Sequence, residues 1–109
     1  MKCCPPLPPL AEPQGDADER LARLAKALGH PARVRLLRVL LEREECVCGE
    51  LCAELPLAQS TVSQHLKVLR EAGLIHGEID GPRTCYCADP RRVDELRELL
   101  DGLASLVRA

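Results

Sequence analysis

Residues 57–75 read LAQSTVSQHLKVLREAGLI, and this stretch decides the fold. Val62, Leu66 and Leu69 recur at intervals of four and three residues, the spacing of one helix face. Ser60, Thr61, Ser63, Gln64, His65 and Lys67 fill the positions between them. Ala72-Gly73 supplies the stop, glycine being the usual residue just past a helix C-terminus. Upstream, the sequence predicts a short helix from about Cys48 to Leu55, ended by Pro56. Only Pro56 to Ser60 separates the two. Two short helices joined by a brief turn form a helix-turn-helix.

Working outward, Leu74-Ile75-His76 and Thr84 to Ala88 are strand candidates. Gly77 to Arg83 joins them, and Asp80-Gly81 within it is a strong hairpin signal. A helix-turn-helix followed by a β-hairpin is a winged helix. Pro90 opens a last helix running to about Val107, with apolar positions Val93, Leu96, Leu99, Leu100, Leu103, Leu106 and Val107. These make two rows, wider than one small core needs, and the excess reads as a homodimer face. The competing reading folds the helix back on its own domain. On the N-terminal side, Leu21, Leu24 and Leu28 share a helix face that starts after Asp16 and stops at Gly29. Pro31 opens a second helix whose expected buried stripe is Val34, Leu37, Leu40 and Leu41. The predicted architecture is mainly α with a small β-hairpin.

The chain has 109 residues, which argues for one domain, and it has one tyrosine and no phenylalanine or tryptophan. Leucine, alanine and valine must therefore build the core, and they favour helices. Residues 1–15 hold five of the nine prolines and no helical period. They read as a flexible Cys/Pro-rich N-terminal arm, able to span more than about 30 Å at ~3.1 Å per residue. Residues 16–109 read as the winged-helix DNA-binding and dimerisation domain. No run approaches the roughly 18 apolar residues of a membrane span, and no secretory segment follows Met1, so a cytoplasmic location is expected. There the seven cysteines, an odd count, would not form a disulfide framework.

A net charge of −2 says little of DNA binding until its distribution is read. Residues 20–43 contain seven Arg or Lys and one acid, a local charge of +6, whereas residues 44–54 contain four acids and no base. The basic half can meet the phosphates of double-stranded operator DNA. In the helix after the turn, Ser60, Thr61, Ser63, Gln64, His65 and Lys67 are the DNA-facing candidates. Short hydroxyls and an amide suit base edges and phosphates in the major groove. Gln64 is the candidate for base reading, Lys67 and Arg70 for phosphate. His65 reads as a phosphate contact or surface residue. Thr61 with Gln64 could instead form a T-x-x-Q capping box. Arg83, at the expected tip of the wing, either enters a minor groove or is simply exposed.

Cys46, Cys48 and Cys52 form a C-x-C-x3-C run, expected at a helix start where free N–H groups favour thiolate. Cys48 and Cys52, four apart, would face one way. Thiolates suit a soft thiophilic ion better than magnesium, calcium or manganese. Cys3 and Cys4 offer an adjacent pair on the arm, with an incidental terminus as the plain alternative. Cys52 reads instead as a small buried apolar residue beside Leu51 and Leu55. Cys85 and Cys87 flank Tyr86 on one strand face, Tyr86 being the core candidate. The cysteine pair reads as packing or incidental surface, with weak chelation or a response to oxidants as the functional alternative.

The segment LAKALGHPARVRLLRVLLEREECVCGELCAELPLAQSTVSQHLKVLREAGLI, residues 24–75, resembles the ArsR/SmtB family of metal-responsive repressors. The resemblance extends over roughly residues 20 to 100. It is specific at ALGHPARVRLL, ECVCGEL and LAQSTVSQHLKVLREAGLI, and ECVCGEL resembles the arsenite-responsive branch. His30 stands where the family usually has an aspartate before the proline, and Ser60 where a proline is common. The resemblance implies a dimeric winged-helix repressor, no enzyme, released from its operator by arsenic(III) or antimony(III) held by three thiolates. It also implies that the two cysteines of the CVC run act with a further thiol, and some relatives use an N-terminal CC pair across the dimer. The expected ligands are thus Cys3, Cys4 and one or both of Cys46 and Cys48, with Cys52 as second choice. The last helix lacks the His and carboxylate pattern of zinc-sensing relatives. A redox-sensing repressor, a thiol oxidoreductase and a zinc module on Cys3, Cys4, Cys46 and Cys48 are the other readings. No C-x-x-C, nucleotide loop or metalloprotease motif supports an enzyme.

Overall fold

The computed structural model describes residues 9–10, 15–43, 47–48, 58–78 and 85–108, with Arg43, Val47, Cys48, Gln59, Glu78 and Cys85 described by their backbone. Its elements run α1 (Ala17–Ala27), α2 (Pro31–Arg43), β1 (Val47–Cys48), α3 (Gln59–Glu71), β2 (Ile75–Glu78), β3 (Cys85–Ala88) and α4 (Pro90–Ala104).

Each helix begins and ends for a local reason. Asp16 caps α1 by accepting from the Glu19 N–H at 2.9 Å, which satisfies one of the orphan donors of the first turn. At α2, His30 takes the part an aspartate would play: its Nδ1 accepts from the Ala32 N–H at 3.0 Å. The start of α2 is therefore capped despite the missing aspartate. The end of α3 is a Schellman turn, with the Gly73 N–H bonded to the Arg70 carbonyl (2.9 Å) and the Leu74 N–H to the Leu69 carbonyl (3.0 Å). Gly73 has φ +80°, and a Cβ there would stand 3.1 Å from Nε of Arg92. Asp89 caps α4 through the Arg91 N–H, with Pro90 in the first turn.

The core is aliphatic with one aromatic: Leu24, Ala27, Leu36, Leu37, Leu40, Val62, Leu66, Leu69, Leu74, Ile75 and Tyr86. Burying each large side chain contributes roughly 1.5–3 kcal/mol, so leucines alone can hold a domain of this size. Within α2 the expected stripe shifts. Val34 is 37% exposed, and Leu36, fully buried, takes its place. The helix packs against both α3 and β3, and this double contact buries the adjacent pair Leu36 and Leu37. In α4, Val93, Leu96 and Leu99 pack on the core, while Leu100 and Leu103 are exposed; the helix ends at Ala104, short of the expected Val107, and Leu106 and Val107 beyond it are exposed by 74 and 77%.

The sheet has three strands, in the order β1-β3-β2. β2 and β3 pair antiparallel with Gly77 opposite Tyr86, as the hairpin signal predicts. β1 is an addition. It pairs with the other edge of β3, Val47 opposite Tyr86 and Cys48 opposite Cys85. Cys48 is therefore in a strand and does not open a helix, which removes the i, i+4 argument linking it to Cys52. The physical reason is that β3 in a bare hairpin would leave one edge of N–H and C=O groups unpaired; a β-branched residue at Val47 suits the strand that covers it. The remainder of the predicted helix before the turn lies outside the described residues, as does the loop joining β2 to β3.

Candidate nucleic-acid interface and thiol positions

α3 is placed by its own apolar side. Val62, Leu66 and Leu69 are 3%, 1% and 0% exposed, packed toward α2 and β2. The opposite side then has to face outward. Ser60 and Gln64 are exposed, and Thr61, Ser63, His65 and Lys67 are partly exposed. The N-cap of α3 is Ala58, with no side-chain hydrogen bond to the first turn. Thr61 lies inside the helix and is not its cap, so the T-x-x-Q capping box is not formed. That leaves the outward hydroxyls and the Gln64 amide without a helix-capping duty. Nη1 of Arg70 stands 3.5 Å from the Gly77 carbonyl, at the outer limit of a hydrogen bond, and so leans toward β2. Arg83 lies outside the described residues.

The basic residues of α1 and α2 divide into two sets. Arg33 is used internally: its Nε donates to the Ala27 carbonyl at 2.7 Å and so holds the end of α1. Its Nη1 lies 3.4 Å from Nδ1 of His65. Arg20 pairs with Glu95 of α4 at 3.4 Å. Lys26, Arg35 and Arg38 are exposed and are the ones left to meet phosphates. The rings of His30 and His65 stand 4.5 Å apart. Burial, the His30 charge and the Arg33 charge together lower the pKa of His65, so His65 is held neutral more readily than an open histidine.

A buried charge cluster, not expected from the sequence, ties the wing to α4. Asp89 is fully buried. Nε and Nη2 of Arg91 donate to its two carboxylate oxygens at 3.0 Å each, and Nε2 of His76 contacts Oδ2 at 2.8 Å. Burial pushes the Asp89 carboxyl up, but the hydrogen bonds from Arg91 and His76 outweigh it and hold its pKa below the ordinary value. The signal that could have found it is Asp-Pro at a helix start.

Of the cysteines expected to ligate, Cys3, Cys4, Cys46 and Cys52 lie outside the described residues; Cys48 is in β1, opposite Cys85. Tyr86 is 2% exposed, a core residue as predicted. Cys87 is disulfide-bonded, which gives it a covalent role beyond packing. Among the described side chains, no three His, Cys, Asp or Glu stand together to hold a metal ion. No helix among the described residues is long and apolar enough to cross a membrane.

Comparison with known proteins adds to this geometry. The family model described as bacterial regulatory protein, arsR family, matches residues 30–76. An HTH-type transcriptional regulator of Methanocaldococcus jannaschii is 36% identical over 86 residues, covering 78% of this chain and 96% of that protein. The HTH-type transcriptional regulator CmtR of Mycobacterium tuberculosis is 40% identical over 84 residues, 76% of this chain and 70% of its own length. Among solved structures, a possible transcriptional regulator for arsenical resistance superposes with a TM-score of 0.63 at 35% identity, covering 74% of this chain and 82% of the other.

Proposed function

This chain belongs to the ArsR family of helix-turn-helix transcriptional regulators, and from that premise we propose that it is a cytoplasmic homodimeric repressor that binds double-stranded operator DNA and leaves it when arsenic(III) or antimony(III) binds cysteine thiolates. The family is one of transcriptional regulators, not of enzymes. The observation that carries the DNA reading is the outward face of α3. Its hydroxyls and the exposed Gln64 amide have no structural duty at the helix start, and Lys26, Arg35 and Arg38 lie exposed on the neighbouring helices. In this reading Ser60, Thr61, Ser63 and Gln64 enter the major groove, His65, Lys67 and Arg70 stand along the phosphates, and Arg83 serves the wing. Residues 16–109 form the binding and dimerisation domain, with residues 1–15 as a flexible arm.

Arsenic(III) or antimony(III) as the inducer rests on the CVC run and on the similarity to the structure named for arsenical resistance. Soft thiolates are the donor set such an ion prefers. The proposed ligands are Cys3, Cys4, Cys46 and Cys48, with Cys52 as second choice. Cys48 sits on a strand bonded to the wing, so drawing its sulfur toward other thiols would shift β1 and, through β3, the wing. A coupling of ~3 kcal/mol between inducer and operator would change operator affinity by about 150-fold.

The test is operator binding by a Cys46→Ser/Cys48→Ser variant. It is expected to bind DNA as the parent does and to stay bound in arsenite. Normal release from the operator by this variant would place the sensor elsewhere. A second reading, a thiol-redox-sensing repressor, is favoured by the disulfide at Cys87. Release by a peroxide, reversed by added thiol and independent of arsenite, would decide for it.

A further inference from the structure

Two histidines and an arginine meet between α2 and α3, outside the apolar core. His30 is exposed, and Arg33 and His65 are partly exposed. The rings of His30 and His65 have centroids 4.5 Å apart and are tilted by 47°. His30 is fixed by the backbone, since its Nδ1 accepts from the Ala32 N–H. Arg33 is fixed as well: Nε donates to the Ala27 carbonyl at 2.7 Å, and Nη2 reaches the Lys26 carbonyl at 3.4 Å. Its Nη1 is thereby held 3.4 Å from Nδ1 of His65. A guanidinium carries donors only, so this contact is favourable while His65 Nδ1 has no proton. A protonated His65 would set two cations against each other. The charges that bear on His65 are all of one sign. Burial first, then the charges of His30 and Arg33 on α2, lower its pKa. α1 brings the two carbonyls that hold Arg33. β2, also packed on α3, brings His76, whose ring is bound to Asp89. On α3 itself the nearest charged neighbours in sequence are Lys67 and Arg70. No carboxylate among the described residues acts on His65.

We propose that Arg33 is a positioning residue for operator binding: it orients His65 on α3 and makes the hold on DNA depend on proton uptake by that ring. The proposal deepens the operator-binding reading above and rests on it, His65 being one of the residues set along the phosphates. In the free chain the Arg33 contact favours the neutral ring, with its proton on Nε2. A phosphate oxygen brought to the ring supplies the negative charge that the cluster lacks. It accepts from the ring N–H as a charge-assisted partner and offsets the His30 and Arg33 charges. The imidazolium is then the favoured form in the complex. Binding and protonation assist each other by linkage. Operator affinity rises as pH falls through the His65 range, by at most about tenfold per pH unit for one proton. Lys67, a fixed cation at these pH values, gives no such dependence.

The experiment uses the full chain and a duplex selected from a random pool, titrated by anisotropy at constant low salt across neutral and mildly acidic pH. The parent chain is expected to bind at least about threefold tighter at about pH 6 than at about pH 8. His65→Gln, which cannot take up the proton, is expected to lose that slope. Arg33→Met removes the opposing charge and is expected to move the rise in affinity to higher pH. Arg33→Lys keeps a charge there and is expected to keep the parent profile, even where it weakens binding at every pH. A merely structural Arg33 would weaken binding alike at every pH in both variants. A slope unchanged in His65→Gln, or a parent affinity that does not vary with pH, overturns the proposal while leaving the operator reading intact. A parent chain that binds no duplex overturns both. A readout on the parent chain guards against a misfolded variant: the His65 ring protons, followed by NMR, should titrate at higher pH in the complex than in the free chain. Titration at the same or a lower pH in the complex overturns the proposal.

Discussion

Asp89 is a single carboxylate on which two parts of the molecule meet. It caps α4 and accepts from Arg91 and His76 while fully out of solvent. Removing one partner of a buried ion pair strands the rest, at about 3–5 kcal/mol. Arg91 and His76 keep 33% and 30% side-chain exposure, which reduces that cost. Asp89→Ala is expected to lower stability by about 2–4 kcal/mol in urea unfolding. His65 adds a dependence on pH. Its folded pKa is below the ordinary 6.5, so the unfolded chain takes up the proton first. Stability is then fully present above pH 6.5 and declines as pH falls through that value. His65→Gln is expected to flatten the fall in melting temperature between neutral and mildly acidic pH. Neither feature was legible in the sequence. A histidine and an aspartate do not announce their neighbours, and only Asp-Pro hinted at a cap.

α3 is the element that the sequence reveals most fully. Its apolar spacing, its glycine stop and its outward polar face all follow from residues 57–75. The end at Gly73 is enforced by two Schellman bonds. Its function is expected to separate by residue. Gln64→Ala should relax sequence preference, losing about 1–3 kcal/mol at one base position. Lys67→Ala should weaken all duplexes alike and lower the salt slope by about 1. Competition binding with randomised duplexes at two salt concentrations reads both. β1 shows the opposite case. Val47-Cys48 is too short to carry a strand period, and a CVC run is read as a helix start as easily as a strand. What makes it a strand is the free edge of β3, about forty residues away, and local pattern does not encode a non-local partner.

For the molecule as a whole, the C-terminal end of α4 and the residues just beyond it leave apolar side chains exposed. Leu100 and Leu103 of α4, with Leu106 and Val107 after it, follow the positions that pack on the core. Val93, Leu96 and Leu99 serve the domain core; the proposed homodimer gives the others a role. A second copy of this chain, joined through α4, would cover them and set the separation of the two α3 helices. Leu103→Glu/Leu106→Glu is expected to sediment as a folded monomer and to lose tight operator binding. The most direct measurement of the central claim is fluorescence anisotropy of the reduced chain on a duplex selected from a random pool, titrated with arsenite at constant salt. Release of the duplex at about one arsenic per subunit, reversed by a competing dithiol, is the predicted result. A duplex that stays bound at arsenite concentrations that saturate the thiols would contradict the account.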